Sequence, residues 1–301
     1  MYKGVIISVS GSFLFGTLFY LVTMLNPLSG FEILGWRILF MWLILSIFML
    51  AHKSDWKLAV EAARMVIKQP WRIPVMLVSA VLIGAQFWLF VWSPANGMAM
   101  DVSLGYFLFP LSLVLCGRIL YKDKLSGFQK LAVVLASIGV VNQIYATGNF
   151  SWATLLVCVG YPPYFIMRRY FKNDNLGGFW WDLFILVPVS LWFIGSGPTL
   201  FSELFSNASL AGLLLLYGLI SGVAMVLFIL ASHLLTMSLF GLLSYVEPML
   251  LALVAFMLGE SITQKEWITY IGIWLAVLML MCDGARNVIA HHKLAAGKSG
   301  R

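Results

Sequence analysis

Four long stretches of this sequence contain no Asp, Glu, Lys or Arg, and they decide what the chain can fold into. They cover residues 4–31, 73–100, 131–167 and 204–246. A helix needs about 20 mostly apolar residues to cross the hydrocarbon core of a bilayer, and only helices and closed barrels satisfy their backbone groups there. The two-residue alternation that is typical of barrel strands is absent. The sequence therefore predicts an all-α integral membrane protein.

Composition supports the same class. Charged residues make up 10% of the 301 residues and hydrophobic residues 61%, whereas a soluble domain carries about 25% charged residues. A chain of this length is predicted to form one compact membrane unit. Its net charge of +7 is interpreted as an anchor to the anionic inner leaflet, and nucleic-acid binding is not expected.

Turn residues divide the apolar stretches into ten predicted transmembrane helices. These are placed at residues 4–25, 31–51, 73–92, 99–120, 128–145, 151–168, 179–195, 211–231, 238–258 and 267–284. With the N-terminus inside, every Lys and Arg except Lys265 and Arg37 falls in a cytoplasmic segment. This bias follows the positive-inside rule. It predicts a multi-pass protein of the cytoplasmic (inner) membrane, with the N- and C-termini both in the cytoplasm.

The inner loop at residues 55–72 is predicted to form an amphipathic helix. Its charged residues recur at helical spacing, and apolar residues occupy the other faces. Such a helix is typical of an interfacial anchor that lies on the membrane. A role as a gate or lid is the alternative.

The two halves of the sequence repeat a motif. Residues 105–129 and 244–266 each contain an aromatic residue, a proline and an apolar run. Each then has an acid, Asp123 or Glu260, followed by a hydroxyl residue with Gln or Glu three positions later. The last part predicts a helix cap, Ser126 with Gln129 and Thr263 with Glu266.

Because each half has five spans, the second half is predicted to enter the membrane upside down. Inverted repeats of this kind are a hallmark of secondary transporters. The expected organisation is a first five-helix repeat at residues 1–146, a second, inverted repeat at 147–290 and a cytoplasmic tail at 291–301.

These motifs resemble the EamA domain of the drug/metabolite transporter (DMT) superfamily. The stretch WSPANGMAMDVSLGYFLFP, residues 92–110, and EILGWRILF, residues 32–40, resemble its RarD-type branch more closely. The resemblance implies the EamA fold of two five-helix inverted repeats and transport of small organic solutes by alternating access. It also implies that the third, fourth, eighth and ninth spans enclose a central cavity.

Two charged residues at membrane depth are candidates for the transport site, because burying such a charge costs at least about 2.5–3.5 kcal/mol. Glu247 stands roughly midway in an apolar stretch, before Pro248. It is predicted either to bind a cation or proton in a cavity or to satisfy backbone donors near the proline. Arg37 is predicted either to pair with Glu247 or to hold a substrate carboxylate. Glu32, at the outer interface, is expected to be solvated.

Aromatic and polar residues complete the predicted substrate site, because aromatic faces suit organic or cationic solutes. A position among lipids is the alternative for the tryptophans. The aromatic and amide members of the site are Gln86, Trp88, Trp92, Tyr106, Tyr161 and Tyr245. Tyr161 precedes two prolines that are expected either to break or only to kink the sixth span.

Two other groups are given structural roles. Asp101 is expected to cap the fourth span, and Trp180-Trp181-Asp182 to anchor the seventh span at the interface.

The function predicted from the sequence is secondary-active transport of an amino acid, metabolite or amphiphilic drug, with export as the expected direction. The small-molecule substrate and the lipid bilayer are the expected partners, and the protein is expected to be a monomer or homodimer. A non-transporting receptor or scaffold is the alternative. An enzyme is not expected, because G-x-S-x-G and H-E-x-x-H motifs are absent. No cofactor or metal is expected, and the absence of a Walker motif excludes direct use of ATP.

Overall fold

A computed structural model shows the architecture. It describes residues 2–120, 122, 125–147, 150–197, 207–235, 240 and 243–299. All regular structure in these ranges is helical. The helices are α1 (Tyr2–Leu21, continued by the short 3₁₀ helix Val22–Met24), α2 (Gly30–Ala51), α3 (Lys53–Lys68), α4 (Arg72–Ala95), α5 (Ala99–Leu120), α6 (Gly127–Thr147), α7 (Trp152–Tyr170), α8 (Leu176–Ser196), α9 (Ala208–Leu234), α10 (Val246–Met257) and α11 (Trp267–Ser299).

Eight of the helices in the described ranges are long and apolar enough to cross a membrane. They are α1, α2, α4, α5, α6, α8, α9 and the first 20 residues of α11. The other two predicted spans are not among these eight. Helix α7 has Arg168 and Arg169 in its last turn, and α10 has only 12 residues. The all-α membrane class is confirmed, and the count of ten spans stays a prediction.

The predicted ninth span, residues 238–258, contains a turn. Phe240 and Leu243 are helical, and α10 starts at Val246 after a turn at Ser244 and Tyr245. Pro248 is the third residue of α10. Since proline lacks an N–H group, it is tolerated in the first turn of a helix, where no intrahelical partner is needed. Residues 236–239 and 241–242, at the predicted start of this span, and Asp123 lie outside the described residues.

The amphipathic helix is confirmed as α3, and it packs on α8. Ala59 and Ala62 are 3% exposed, and the Trp181 Nε1–H donates to the Ala59 carbonyl oxygen at 2.9 Å. Gly177 brings the backbone of α8 against Leu58 and Ala59, where a side chain would not fit. The apolar face of α3 is therefore covered at least in part by protein.

The chain divides into two compact units, and each takes segments from both predicted halves. The first unit consists of residues 1–12, 99–162 and 230–301, and the second of residues 13–98 and 163–229. One boundary falls between Pro162 and Pro163. The helix α7 runs continuously through both prolines, so the broken-helix alternative is wrong.

In the second unit, α2 packs along α8. A β-carbon added at Gly35 would lie 2.6 Å from the Ser190 carbonyl oxygen and 2.9 Å from the Ile194 side chain. Helix α9 approaches α2 in the same way, because Gly218 faces the ring of Phe40 and Gly222 faces Ile44. Glycine at these positions allows the helix backbones to come close, as is common at interfaces between membrane helices.

In the first unit, α6 packs along α11 and α5 along α10. A β-carbon at Gly139 would lie 2.8 Å from the Thr269 carbonyl oxygen, and one at Gly272 would lie 3.0 Å from the Leu135 carbonyl oxygen. The two glycines therefore mark a close crossing of α6 and α11. Helix α5 also meets α7 closely, at Gly105 and Val157.

The predicted helix cap at Ser126 is confirmed, and the one at Thr263 is confirmed in part. The Ser126 hydroxyl accepts from the Gln129 N–H at 3.1 Å, and the Gln129 side chain accepts from the Ser126 N–H at 3.1 Å. At Thr263 the Glu266 carboxylate accepts from the N–H and the hydroxyl of Thr263, at 3.0 and 2.6 Å, so this hydroxyl acts as a donor. Each cap thus satisfies a backbone donor at the start of its helix.

Each cap is also bound by the partner helix, which the sequence pattern did not predict. Asp283 of α11 accepts from Ser126 Oγ at 2.7 Å and from Gln129 Nε2 at 3.0 Å. Gln143 of α6 donates to Glu266 Oε1 at 3.1 Å. Helices α6 and α11 are therefore joined by side-chain hydrogen bonds at both ends of their contact.

The start of α5 differs from expectation. Its first two N–H groups, of Ala99 and Met100, donate to the carboxylate of Glu260 at 2.8 and 2.7 Å. Asp101 instead accepts from the Ser151 hydroxyl at 2.8 Å. The predicted capping role of Asp101 belongs to Glu260, because a carboxylate after α10 reaches the α5 terminus from outside the helix.

Glu266 gives the first testable prediction. Partial burial acts to raise the pKa of Glu266, but hydrogen bonds from Thr263 and Gln143 outweigh it and hold the pKa below its usual value. A carboxylate with a lowered folded-state pKa stabilises the protein above its unfolded pKa, about 4.3, and this stabilisation is lost as the pH falls through the folded pKa. We expect Glu266→Gln to lower the melting temperature of purified protein at pH 6.

The difference in melting temperature between Glu266→Gln and the wild type should narrow as the pH falls below about 4. Glu61→Gln, at an exposed position of α3, serves as the control and should not change the melting temperature at either pH. If Glu266→Gln lowers the melting temperature equally at pH 6 and pH 3.5, the ionised Glu266 carboxylate is not the source of the stabilisation.

Candidate functional site

Arg37 is buried in the second unit and lies among aromatic rings. Its side chain projects from α2, the residue is 1% exposed, and its Cζ lies 4.3 Å from the ring centroid of Phe90 and 5.3 Å from that of Phe87. Its Nε and Nη1 have no hydrogen-bond partner among the described residues. This is an unusual state for a buried guanidinium, because burying polar donors without partners is unfavourable.

The structure separates Gln86 from the tryptophans on α4. Gln86 is 2% exposed and lies one turn from Phe90, on the buried face of the helix. Trp88 and Trp92 are half-exposed, and their rings stack with centroids 5.5 Å apart. Phe31 of α2 stacks on Trp88 at 6.4 Å. Gln86 therefore shares a helix face with the ring that Arg37 contacts, while the two tryptophans extend an aromatic row along another face.

In the first unit, Tyr106 of α5 and Tyr161 of α7 come together. Their hydroxyl oxygens are 3.0 Å apart and form a hydrogen bond. The Phe109 ring packs on Tyr161 with centroids 5.1 Å apart. The helices approach closely here because Gly105 leaves room for Val157. The pair thus provides two phenol groups, both half-buried, at the middle of two apolar helices.

Tyr245 and Glu247 lie at the start of α10. Tyr245 is 3% exposed, and its hydroxyl has no hydrogen-bond partner in the described ranges. Glu247 is half-buried and is the second residue of α10, directly before Pro248. A carboxylate in the first turn is stabilised by the positive end of the helix dipole.

An ion pair that we did not predict is buried in the second unit. Arg168 Nη1 lies 2.6 Å from Asp182 Oδ2, with side-chain exposures of 7% and 0%. The Tyr164 hydroxyl donates to the same oxygen at 3.0 Å. Arg168 Nη2 donates to the carbonyl oxygens of Asn173 and Asn175, at 2.7 and 2.8 Å. Arg168 therefore joins α7, α8 and the loop between them.

This pair corrects one interpretation. We assigned Asp182 to an interfacial anchor, but its side chain is buried and paired with Arg168. The placement of Arg168 on the cytoplasmic side stays a prediction. The indole groups before Asp182 are also held inside the protein, since Trp180 Nε1 donates to Ser46 Oγ at 2.8 Å. The signal in the sequence was the acid in the run WWDLFILV, which is apolar on both sides.

Glu32 is also buried rather than solvated. It is 0% exposed, its Oε2 accepts from the Ser29 N–H at 2.7 Å, and its own N–H donates to Ser29 Oγ at 3.3 Å. Both bonds belong to a capping box at the start of α2. The pattern S-x-x-E at residues 29–32 would have predicted this cap.

Two cavities in the described part of the chain do not match an organic substrate site. One, of about 20 Å³, lies beside Ser79, Arg168 and Asn173 and is far smaller than the roughly 300–1,000 Å³ of ligand pockets. The other, of about 410 Å³, is an apolar groove on α5, α10 and α11. Apart from the indole N–H of Trp274, its lining has no polar side-chain group that could orient a solute.

Among the described residues no cluster of His, Cys, Asp or Glu could hold a metal ion. The groups described above could bind a solute: a guanidinium with open donors, a phenol pair, stacked indoles and a carboxylate at a helix N-terminus.

Comparison with known proteins identifies the family. The EamA-like transporter family matches residues 2–142. The chain is 37% identical to an uncharacterized transporter of Haemophilus influenzae, over 94% of this chain and 95% of that protein. It is 39% identical to an uncharacterized transporter of Pasteurella multocida, over 97% and 100%. It is 38% identical to the chloramphenicol-sensitive protein RarD of Pseudomonas aeruginosa, over 94% and 95%. The chain therefore belongs to the EamA-like transporter family, as a RarD-type member.

Proposed function

We propose that this protein is a secondary-active transporter that exports a small organic solute by alternating access. An amino acid, a metabolite or an amphiphilic drug is the expected kind of solute. The observation that carries the proposal is the burial of Arg37, with open donors, among aromatic rings of a protein whose relatives are transporters. A receptor or scaffold that moves nothing has no use for such a site inside its membrane helices.

The helix packing supports two inverted repeats. Helix α2 packs along α8, α5 along α10 and α6 along α11. In each of these pairs, the two helices are the corresponding spans of the two predicted halves, residues 1–146 and 147–290. Such pairing is what an inverted repeat of five spans produces. The two halves would then alternate between inward-open and outward-open arrangements.

We place the protein in the cytoplasmic membrane with both termini inside, acting as a monomer or a homodimer. The distribution of Lys and Arg supports this orientation. Fusion of a fluorescent protein, which folds in the cytoplasm, and of alkaline phosphatase, which is active outside it, to the C-terminus tests the orientation. Phosphatase activity without fluorescence would contradict it.

Transport by purified protein in liposomes tests the function. The assay uses a pooled panel of amino acids, related metabolites and amphiphilic drugs, with and without a pH gradient. We expect one compound class to accumulate faster than in empty liposomes. The direction of transport is inferred from the orientation of the pH gradient that drives the movement. Transport that occurs only as uptake driven by an inward pH gradient would contradict export. Movement of no compound from a broad panel would favour the receptor or scaffold.

The residues proposed to contact the substrate are Arg37, Gln86, Trp88, Trp92, Tyr106, Tyr161, Tyr245 and Glu247. Glu247 is also proposed to couple transport to protons. Glu247 is a half-buried carboxylate at a helix N-terminus. Binding of a proton would therefore remove a negative charge from a poorly solvated environment. We expect Glu247→Gln to lose the stimulation of transport by a pH gradient while equilibration of the same solute without a gradient continues.

Glu61→Gln, at an exposed position of α3, is the matched control for Glu247→Gln and should keep the gradient response. If Glu247→Gln accumulates solute with the wild-type pH dependence, the carboxylate has a structural role only.

A further inference from the structure

We infer that Arg37 and Tyr217 form a binding site for the carboxylate of the transported solute. The inference rests on the proposed function and names the chemical class of its substrate: a carboxylate on an aromatic or apolar body. It is argued from four residues of the second unit, Arg37 on α2, Phe87 and Phe90 on α4, and Tyr217 on α9.

The guanidinium of Arg37 is the first part of the site. It is almost completely buried, two of its nitrogens have no hydrogen-bond partner, and no carboxylate of the described residues forms an ion pair with it. A guanidinium presents its N–H groups in a planar fork that matches the two oxygens of a carboxylate. Arg37 therefore has open donors that a carboxylate would fill.

Tyr217 is the second part, and the sequence did not draw attention to it. It is 0% exposed. Its hydroxyl faces the Arg37 guanidinium, with which it interacts electrostatically and as a hydrogen-bond acceptor, although no hydrogen bond of good geometry joins it to a described residue. Ser221, one turn further on the same face of α9, is also 0% exposed, and its hydroxyl bonds to no described residue. Helix α9 thus adds further donors on the side that approaches α2.

The rings of Phe87 and Phe90 define the rest of the ligand. They lie within 5.3 Å of the guanidinium carbon, so a carboxylate that reaches Arg37 brings the neighbouring part of its molecule against aromatic faces. Aromatic or apolar groups fit this environment, and an ammonium group is attracted to ring faces, whereas a second negative charge near the rings would lose its solvation without such attraction. The arrangement selects a monocarboxylate or a zwitterion over a dicarboxylate.

Arg168 shows what a structural arginine looks like in the same unit. Its two terminal nitrogens make four hydrogen bonds, including the ion pair with Asp182. An arginine that supports the fold destabilises the protein when it is removed, whereas removal of a buried charge without partners relieves an unfavourable burial. Functional residues of this kind are retained at the expense of stability. The two arginines should therefore respond in opposite ways to the same substitution.

The experiment measures the melting temperature of the purified full-length chain in detergent. The ligands are a panel of monocarboxylates with apolar or aromatic bodies, including phenylacetate and phenylalanine, each compared with its primary amide. The variants are Arg37→Met, Arg37→Lys and Tyr217→Phe, with Arg64→Met, at an exposed position of α3, as the matched control. Binding is measured without transport, so the assay is independent of the liposome experiment.

Without ligand, Arg37→Met should melt at or above the wild-type temperature. At least one carboxylate should stabilise the wild type and Arg64→Met more than its amide does. The carboxylate should bind about 10- to 100-fold more weakly to Arg37→Met, since it loses charged hydrogen bonds. Tyr217→Phe should show a smaller loss, and Arg37→Lys an intermediate one.

Three results would overturn the inference: Arg37→Met melting well below the wild type, equal stabilisation by carboxylates and amides, or stabilisation of the wild type by no carboxylate. Each of these leaves the proposed function standing if liposomes transport a neutral or cationic solute. If the wild-type protein binds a carboxylate through Arg37 but transports no compound in liposomes, the proposed function is contradicted and the binding site is supported.

Discussion

Replacing Arg168 by methionine is expected to destabilise the protein by about 3–5 kcal/mol and to abolish most of its folded yield. The substitution leaves Asp182, which is 0% exposed, as a charge without its partner in an apolar environment. It also removes the hydrogen bonds to Asn173 and Asn175 that hold the loop between α7 and α8. The measurement is the amount of monodisperse protein in size-exclusion chromatography and its melting temperature.

The neighbouring arginine supplies the control. Arg169 is exposed, so Arg169→Met should leave both yield and melting temperature close to those of the wild type. The pair Arg168→Met with Asp182→Leu should be more stable than Arg168→Met alone, because the second substitution removes the charge that the first one exposes. Equal losses for Arg168→Met and Arg169→Met would show that the buried ion pair does not support the fold.

A leucine at Gly35 is expected to have a comparably large effect. The added β-carbon alone would lie 2.6 Å from the Ser190 carbonyl oxygen, and a backbone atom cannot rotate away as a side chain can. Helices α2 and α8 would have to separate along their contact. Overpacking typically costs about 1–3 kcal/mol, and we expect the upper end here or a failure to fold.

The control for this prediction is Gly212→Leu on α9. A β-carbon at Gly212 meets nothing within 4 Å, so leucine there should leave the melting temperature unchanged in detergent. If Gly35→Leu melted at the wild-type temperature, the close contact between α2 and α8 would be wrong. Loss of stability in both variants would mean that the added leucine, and not its place in the contact, is the cause.

Much of this fold could be predicted from the sequence because it follows from local patterns. The apolar runs fixed where the long helices lie, since a span is set by the thickness of the bilayer. The spacing of hydroxyl and acid residues predicted the caps at Ser126 and Thr263, which depend only on residues three positions apart. The amphipathic period predicted α3 in the same way.

Features that depend on distant residues were missed. Arg168 and Asp182 are 14 positions apart, and nothing local in either segment shows that one charge neutralises the other. Glu260 caps a helix that begins 161 positions before it, so Asp101 was assigned a role that a distant carboxylate fills. Tyr217 looked like one aromatic residue among many in an apolar run, and only the burial of its hydroxyl beside Arg37 distinguishes it.

The turn before α10 was missed for a different reason. Residues 204–246 contain no Asp, Glu, Lys or Arg, so hydropathy gives no boundary there. The boundary comes from Pro248, which fits the first turn of a helix better than its interior. Glu247 is thereby placed in the first turn of α10, where the positive end of the helix dipole stabilises a carboxylate.

Solute counterflow in liposomes tests the central claim, transport by alternating access, most directly. Liposomes that contain purified protein are loaded with unlabelled solute, the compound that the panel identifies, and diluted into a trace of the labelled compound. An alternating-access carrier should transiently accumulate the labelled compound above its outside concentration. Each time the carrier releases unlabelled solute outside, its binding site faces outward and can bind the labelled compound for the return step. Accumulation no greater than in protein-free liposomes, for a compound that the protein binds, would contradict the account.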